Sequence, residues 1–137
     1  MILVCAADLF WASKIKGTAD GLGIPCRPVR SMEMLEARLV DSPVQALVVD
    51  LEMEETALAM IRRAKQAGGG VGKAGSGGVR VVAFGPHVEV ETLREARAAG
   101  ADSVMTRGAL AAHLPNVLRS LTLVEKGGES KLDDLDE

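Results

Sequence analysis

The sequence predicts an α/β domain built on a parallel sheet with helices on both faces, and three observations carry that prediction. Five short apolar runs of strand length recur along the 137 residues, each followed by a stretch with helical apolar spacing. Glycines stand where those helices should end: Gly21 and Gly23 after the first, Gly68 after the third, Gly100 after the fourth. Apolar residues make up 47% of the chain but aromatics only 2% (Phe10, Trp11, Phe84), so the core must be packed from Val, Leu, Ile, Ala and Met. That suits a sheet covered closely by helices.

The first strand is expected over Ile2 to Ala7, with Asp8 ahead of a helix from Leu9 to Leu22. The second, Ile24 to Val29, contains Pro25 and Pro28; proline supplies no ladder donor, so this strand belongs at a sheet edge. An edge position for the second strand fits the flavodoxin-like order 2-1-3-4-5 in a doubly wound five-stranded parallel sheet. Ser31 is placed to cap a helix running to Val40. The third strand, Val44 to Leu51, is nearly all apolar and delivers one carboxylate, Asp50, to its C-terminal end. A helix from Glu54 to Ala67 follows, then a fourth strand Val79 to Phe84, a helix Glu89 to Ala99 and a fifth strand Ser103 to Met105. Pro115 would interrupt a long last helix, so a short turn over Ala109 to His113 is expected, with a helix restarting around Pro115 and ending near Val124.

Residues 1–125 therefore form one domain, large enough to bury roughly two-thirds of its unfolded surface without staples. Gly68 to Gly78 (GGGVGKAGSGG) reads as a flexible insertion, and residues 126–137 as a disordered acidic tail. The insertion is not a phosphate-binding loop. Ala67 replaces the first glycine such a loop needs, Ala74 follows Lys73 where Ser or Thr belongs, and the segment joins helix to strand rather than strand to helix.

A net charge of -3 with interspersed signs gives no basic footprint, and there is no aromatic platform for bases, which argues against nucleic-acid binding. No segment approaches the ~20 apolar residues of a membrane span, and Met1 to Ala7 lacks the basic start of a leader, so a cytoplasmic protein is expected. Cys5 and Cys26 have neither metal-ligand nor redox-pair spacing and read as reduced structural thiols.

In this strand order the C-terminal strand ends bring together Asp8, Asp50, the Gly85-Pro86-His87 turn and Arg107. The plain structural reading is that Asp8 caps the first helix, Asp50 caps a loop or pairs with Arg107, and His87 is solvated. The functional one is a ligand or metal site on Asp8, Asp50 and His87. His113, near Pro115, has no visible partner and reads as structural.

Gly100-Ala101-Asp102 leading into Ser103-Val104-Met105-Thr106-Arg107, together with Val48-Val49-Asp50-Leu51-Glu52-Met53, resembles the receiver domain of two-component response regulators across residues 1 to about 125. The resemblance places Asp50 at the phosphoacceptor position and the Glu52 carbonyl at a position that helps hold Mg²⁺. Asp8 matches one acid of the family's pair, with Ala7 where the other would be. Gly85 occupies the hydroxyl position, Arg107 the lysine position and Val104 the aromatic switch position. With the hydroxyl and the aromatic both replaced, the resemblance implies a degenerate receiver.

The expected function is a stand-alone pseudo-receiver: a signalling module, not an enzyme, that needs no cofactor and acts through protein contacts without phosphorylation-driven switching. No effector domain is expected beyond the last helix, and output is expected through the face of the fourth helix, fifth strand and fifth helix, to a protein partner or in a homodimer. The alternative is a Mg²⁺-dependent receiver phosphorylated on Asp50 by a histidine kinase. A third reading is the small-ligand or metal site on Asp8, Asp50 and His87.

Overall fold

A computed structural model describes residues 1–68, 78–86 and 89–122. Most of the Gly-rich insertion, His87 and the whole acidic tail lie outside the described residues. The element order is β1 (Ile2–Cys5), α1 (Leu9–Gly21), β2 (Cys26–Pro28), α2 (Met32–Asp41), β3 (Ala46–Asp50), a 3-10 turn (Leu51–Met53), α3 (Glu55–Gly68), β4 (Arg80–Gly85), α4 (Val90–Ala99), β5 (Ser103–Thr106) and α5 (Arg107–Thr122). All strands pair in parallel, in the order β2-β1-β3-β4-β5.

Strand alternation divides the core into two layers. Ile2, Val4, Ala46, Val48, Val82 and Phe84 face Ile15 and Ala19 of α1 and Leu110, Leu114 and Val117 of α5. Leu3, Cys5, Leu47, Val49, Val81 and Ala83 face the other way, onto Leu35 of α2, Met60, Ile61 and Ala64 of α3 and Ala96 of α4. Both faces of the central strands are dry, which is why their sequences are continuous apolar runs. Among the described residues no helix is long and apolar enough to cross a membrane.

The local chemistry follows the sequence closely, with corrections at the boundaries. β2 is an edge strand, but only three residues long; Pro28 pairs with Val4, and Val29 N–H resumes donation to the Val4 carbonyl at 2.9 Å. β1 ends at Cys5 rather than Ala7, because Asp8 accepts from Trp11 N–H (3.0 Å) and caps α1, pulling the chain out of the sheet. Ser31 caps α2 through Met34 N–H (3.2 Å). The expected turn over Ala109 to His113 is instead helical from Arg107. Two helical segments meet at a kink where His113 has φ -120° and ψ 18°, two residues before Pro115.

The Gly100-Ala101-Asp102 segment is a latch at the N-terminal edge of the sheet. Asp102 accepts from Val81 N–H (2.8 Å) and Lys65 Nζ (2.9 Å), while Asp102 N–H donates to the Val81 carbonyl (2.9 Å). Lys65 Nζ also donates to the Val79 carbonyl (2.9 Å). Gly100 ends α4 at φ 121°, and a Cβ there would stand 2.7 Å from Lys65 Cγ. One glycine thus meets both a backbone and a steric demand. Gly100→Ala is expected to destabilise the fold by about 1–3 kcal/mol in urea unfolding, through backbone strain and displacement of Lys65.

Cys5 and Cys26 are free and buried. Burial pushes the Cys5 thiol up to about 11, with the Asp50 charge adding to the effect. Burial also raises Cys26 to about 11, opposed by Lys16 and the N-terminal ammonium and reinforced by Asp20. The folded-state values exceed the ordinary 9.0, so across this window the unfolded chain sheds protons that the folded chain keeps. Stability is therefore expected to be insensitive to these thiols below about pH 8 and to fall as pH rises from about 9 to about 11. Unfolding midpoints against pH should show a shallower fall in Cys5→Ala and Cys26→Ala than in the parent.

Candidate functional site

The site lies at the C-terminal edge of the sheet, where β1, β3 and β5 release their chains. Asp50 is the last residue of β3 and is fully buried, the one charged side chain so placed among the described residues. Two backbone donors converge on it. Ala7 N–H reaches Oδ2 at 3.0 Å because β1 has already ended, and Glu52 N–H reaches Oδ1 at 2.9 Å because the chain turns at once into the 3-10 helix. Each carboxylate oxygen therefore has a fixed partner.

Charge compensation comes from Arg107, at the junction of β5 and α5. Its Nη2 lies 3.5 Å from Asp50 Oδ2 and 2.7 Å from Glu52 Oε1, so one nitrogen spans two acids. The Trp11 ring covers the guanidinium, with Cζ 5.8 Å from the ring centroid. Trp11 in turn leans on Phe84, 5.7 Å between centroids. Burial pulls the Arg107 pKa down, but the Glu52 hydrogen bond and the charges of Asp50, Glu52 and Asp8 outweigh it and raise the value overall. Arg107 stays charged at any pH at which the protein folds.

The other predicted positions fall around this link in different roles. Asp8 is exposed at the start of α1, and its Oδ1 is engaged on Trp11 N–H. Gly85 is buried at the end of β4, paired in register with Thr106. The Thr106 hydroxyl accepts from Ala109 N–H (3.1 Å) at the start of α5. Val104 is half-buried and packs on the sheet face covered by α2, α3 and α4. His87 lies outside the described residues. Among the described residues no three His, Cys, Asp or Glu side chains gather closely enough to hold a metal ion.

Three participants were not legible as site residues: the Glu52 carboxylate, the Trp11 ring and the Ala7 N–H. Glu52 was placed for its carbonyl, whereas its side chain takes the shortest contact to Arg107. The nearest sequence signal was its position two residues after Asp50. Backbone strain adjoins the same loop: Glu54 has φ 53° and ψ -119°, a conformation that favours glycine and costs a side-chain-bearing residue of order 1–3 kcal/mol.

No protein-family model matches the sequence, and no curated protein aligns with it. Structural comparison finds clear neighbours. A response regulator from Thermotoga maritima superposes with TM-score 0.70 at 14% identity, over 88% of this chain and 94% of that one. A CheY-like receiver domain protein from Methanospirillum hungatei JF-1 gives 0.69 at 12% identity, over 97% and 96%. A Burkholderia pseudomallei response regulator, solved with a phosphorylated aspartic acid, calcium ion and citrate, gives 0.68 at 15% identity, over 97% and 71%. The fold is the CheY-like flavodoxin fold of response-regulator receivers.

Asn at position 50 must turn an NH₂ group toward either Ala7 N–H or Glu52 N–H, setting donor against donor. Asp50→Asn is expected to cost about 1–3 kcal/mol of stability, measured by urea unfolding at neutral pH.

Proposed function

We propose that this chain is a receiver-fold signalling module that acts through protein contacts, with no phosphorylation-driven switching. The observation that carries the reading is the Arg107 guanidinium lying between Asp50 and Glu52. It brings positive charge to the carboxylate where a divalent cation and a phosphoryl group would otherwise have to be accommodated. Mg²⁺ demands several hard oxygens in near-octahedral array. Here Asp50 is engaged by two N–H groups and a guanidinium, and Asp8 caps its own helix. This arrangement does not fit the ion, and the reading assigns the site no cofactor.

Switching is disfavoured for a separate reason. A phosphoryl group shifts an equilibrium only through contacts that differ between two states. Gly85 supplies no hydroxyl, the Thr106 hydroxyl oxygen caps α5 by accepting from Ala109 N–H, and Val104 has no ring to relocate. The competing reading, a phosphoacceptor served by a histidine kinase, draws support from the place of Asp50 at the end of β3 and from the phosphorylated aspartic acid and calcium of the Burkholderia neighbour.

Incubation with acetyl phosphate and Mg²⁺, followed by intact-mass and light-scattering measurements, separates the two. The expected result is no stoichiometric aspartyl phosphate and an unchanged oligomeric state. Stoichiometric labelling of Asp50, accompanied by a change in association, would overturn the proposal.

A further inference from the structure

A hollow of about 430 Å³ opens between α1 and the chain where it leaves β1 and β2. Leu9, Ala12, Ser13 and Lys16, one stripe of α1, form one wall. The residues after β1, the end of β2 and Met53 of the 3-10 turn form the other. The space is open because the side chains meeting there are short: Ala6, Ala7 and Ala12 end at Cβ, and Ser13 at Oγ. Asp50, Glu52, Trp11 and Arg107 do not line it; of the acids first considered for a ligand, only Asp8 borders it.

The floor is apolar. Val4 and Val29 form it, both buried, and Val29 N–H donates to the Val4 carbonyl at 2.9 Å. Met53 adds a half-buried thioether, held by Cys5 Sγ, which donates to its Sδ at 3.2 Å. A thioether is polarizable and adapts to irregular apolar shapes. The volume lies within the roughly 300–1,000 Å³ of pockets that take small molecules, and an apolar floor with a few polar groups at its margin is their usual make-up.

Charge selects the occupant. Three charged residues line the hollow: Asp8, Lys16 and Arg30. Lys16 is matched by Asp20 at 3.0 Å, one turn further along α1. Asp8 accepts from Trp11 N–H, and its charge also acts on Arg107. Arg30 makes no hydrogen bond or ion pair with any described residue, so its guanidinium is the uncompensated charge of the wall. We propose that the hollow binds a small organic monocarboxylate, its carboxylate on Arg30 and its apolar body over Val4, Val29 and Met53. A planar fork suits a carboxylate, and one free cation facing one acid suits a single negative charge rather than a phosphate dianion. The site goes beyond the reading of the chain as a non-switching module and does not depend on it, since neither Asp50 nor Arg107 takes part.

The test follows amide shifts of the ¹⁵N-labelled full chain during titration with 4-phenylbutyrate, with 4-phenylbutylamine, which keeps the body and reverses the charge, and with acetate, which keeps the charge and lacks the body. Saturable shifts with 4-phenylbutyrate are expected at Ala6, Ala12, Ser13, Val29 and Arg30, weakened by salt. The amine should bind roughly tenfold more weakly or worse, and acetate should not saturate. Arg30→Gln, an exposed change, should cut affinity for the acid about fivefold or more and bring acid and amine closer together. Ala12→Leu places a side chain in the hollow and should abolish binding, while Val40→Ser, an exposed change on α2, leaves it intact. Leucine is a good helix former, so a urea midpoint no lower than the parent's shows that Ala12→Leu acts by filling; should it fall, Arg30→Gln decides. No saturable shifts, equal binding of acid and amine, saturation at residues away from the hollow, or an Arg30→Gln affinity equal to the parent's would overturn the site.

Discussion

A carboxylate buried at the end of a central strand is the constraint around which the upper half of this molecule is arranged. Taking Asp50 out of water costs several kcal/mol unless donors and a counter-charge are already in place. The donors depend on the chain leaving the sheet at two neighbouring points. β1 must end early enough to offer Ala7 N–H, which the Asp8 cap of α1 enforces, and β3 must turn at once to offer Glu52 N–H. The counter-charge depends on a third exit, where β5 runs into α5 at Arg107. The strained backbone at Glu54 follows the same tight turn. Strand ends, cap, turn and helix start are thus parts of one electrostatic arrangement.

The lower edge of the sheet solves a different problem with similar chemistry. Lys65 and Asp102 tie α3 to the β4–β5 pair through backbone groups of Val79 and Val81, and Gly100 makes room for the lysine stem. The tripeptide that most suggested a signalling family is therefore structural in its action. It sets the β5 register against β4, and so where Arg107 emerges beyond Thr106. Fold likeness and site chemistry are separable here, since Gly100-Ala101-Asp102, one of the segments that carry the resemblance, lies at the opposite edge from Asp50.

Much of the fold was legible because each local signal agreed with the next. Prolines marked the edge strand, Ser31 and the glycines marked helix ends, and doubly buried strands appeared as unbroken apolar runs. The site was legible in part. Asp50 and Arg107 are chemically conspicuous, and topology alone brings their strand ends together. Trp11 and the Glu52 side chain were not, because an aromatic one turn into a helix and an acid in a turn look like ordinary surface residues. Only the tertiary placement of α1 against the start of α5 makes them a roof and a clamp. The boundary of β1 was misjudged for a related reason, since Ala6 and Ala7 continue the apolar run while the Asp8 cap ends the strand.

Trp11 carries the ion pair out to the surface of the molecule. Its ring covers the Arg107 guanidinium, leans on the buried Phe84 and meets the exposed Phe10 at an interplanar angle of 89°. On the non-switching reading proposed above, in which Asp50 is matched by a positive charge from within the chain, the information passed on would be the presence of the protein itself, set by its abundance and location rather than by modification of one side chain.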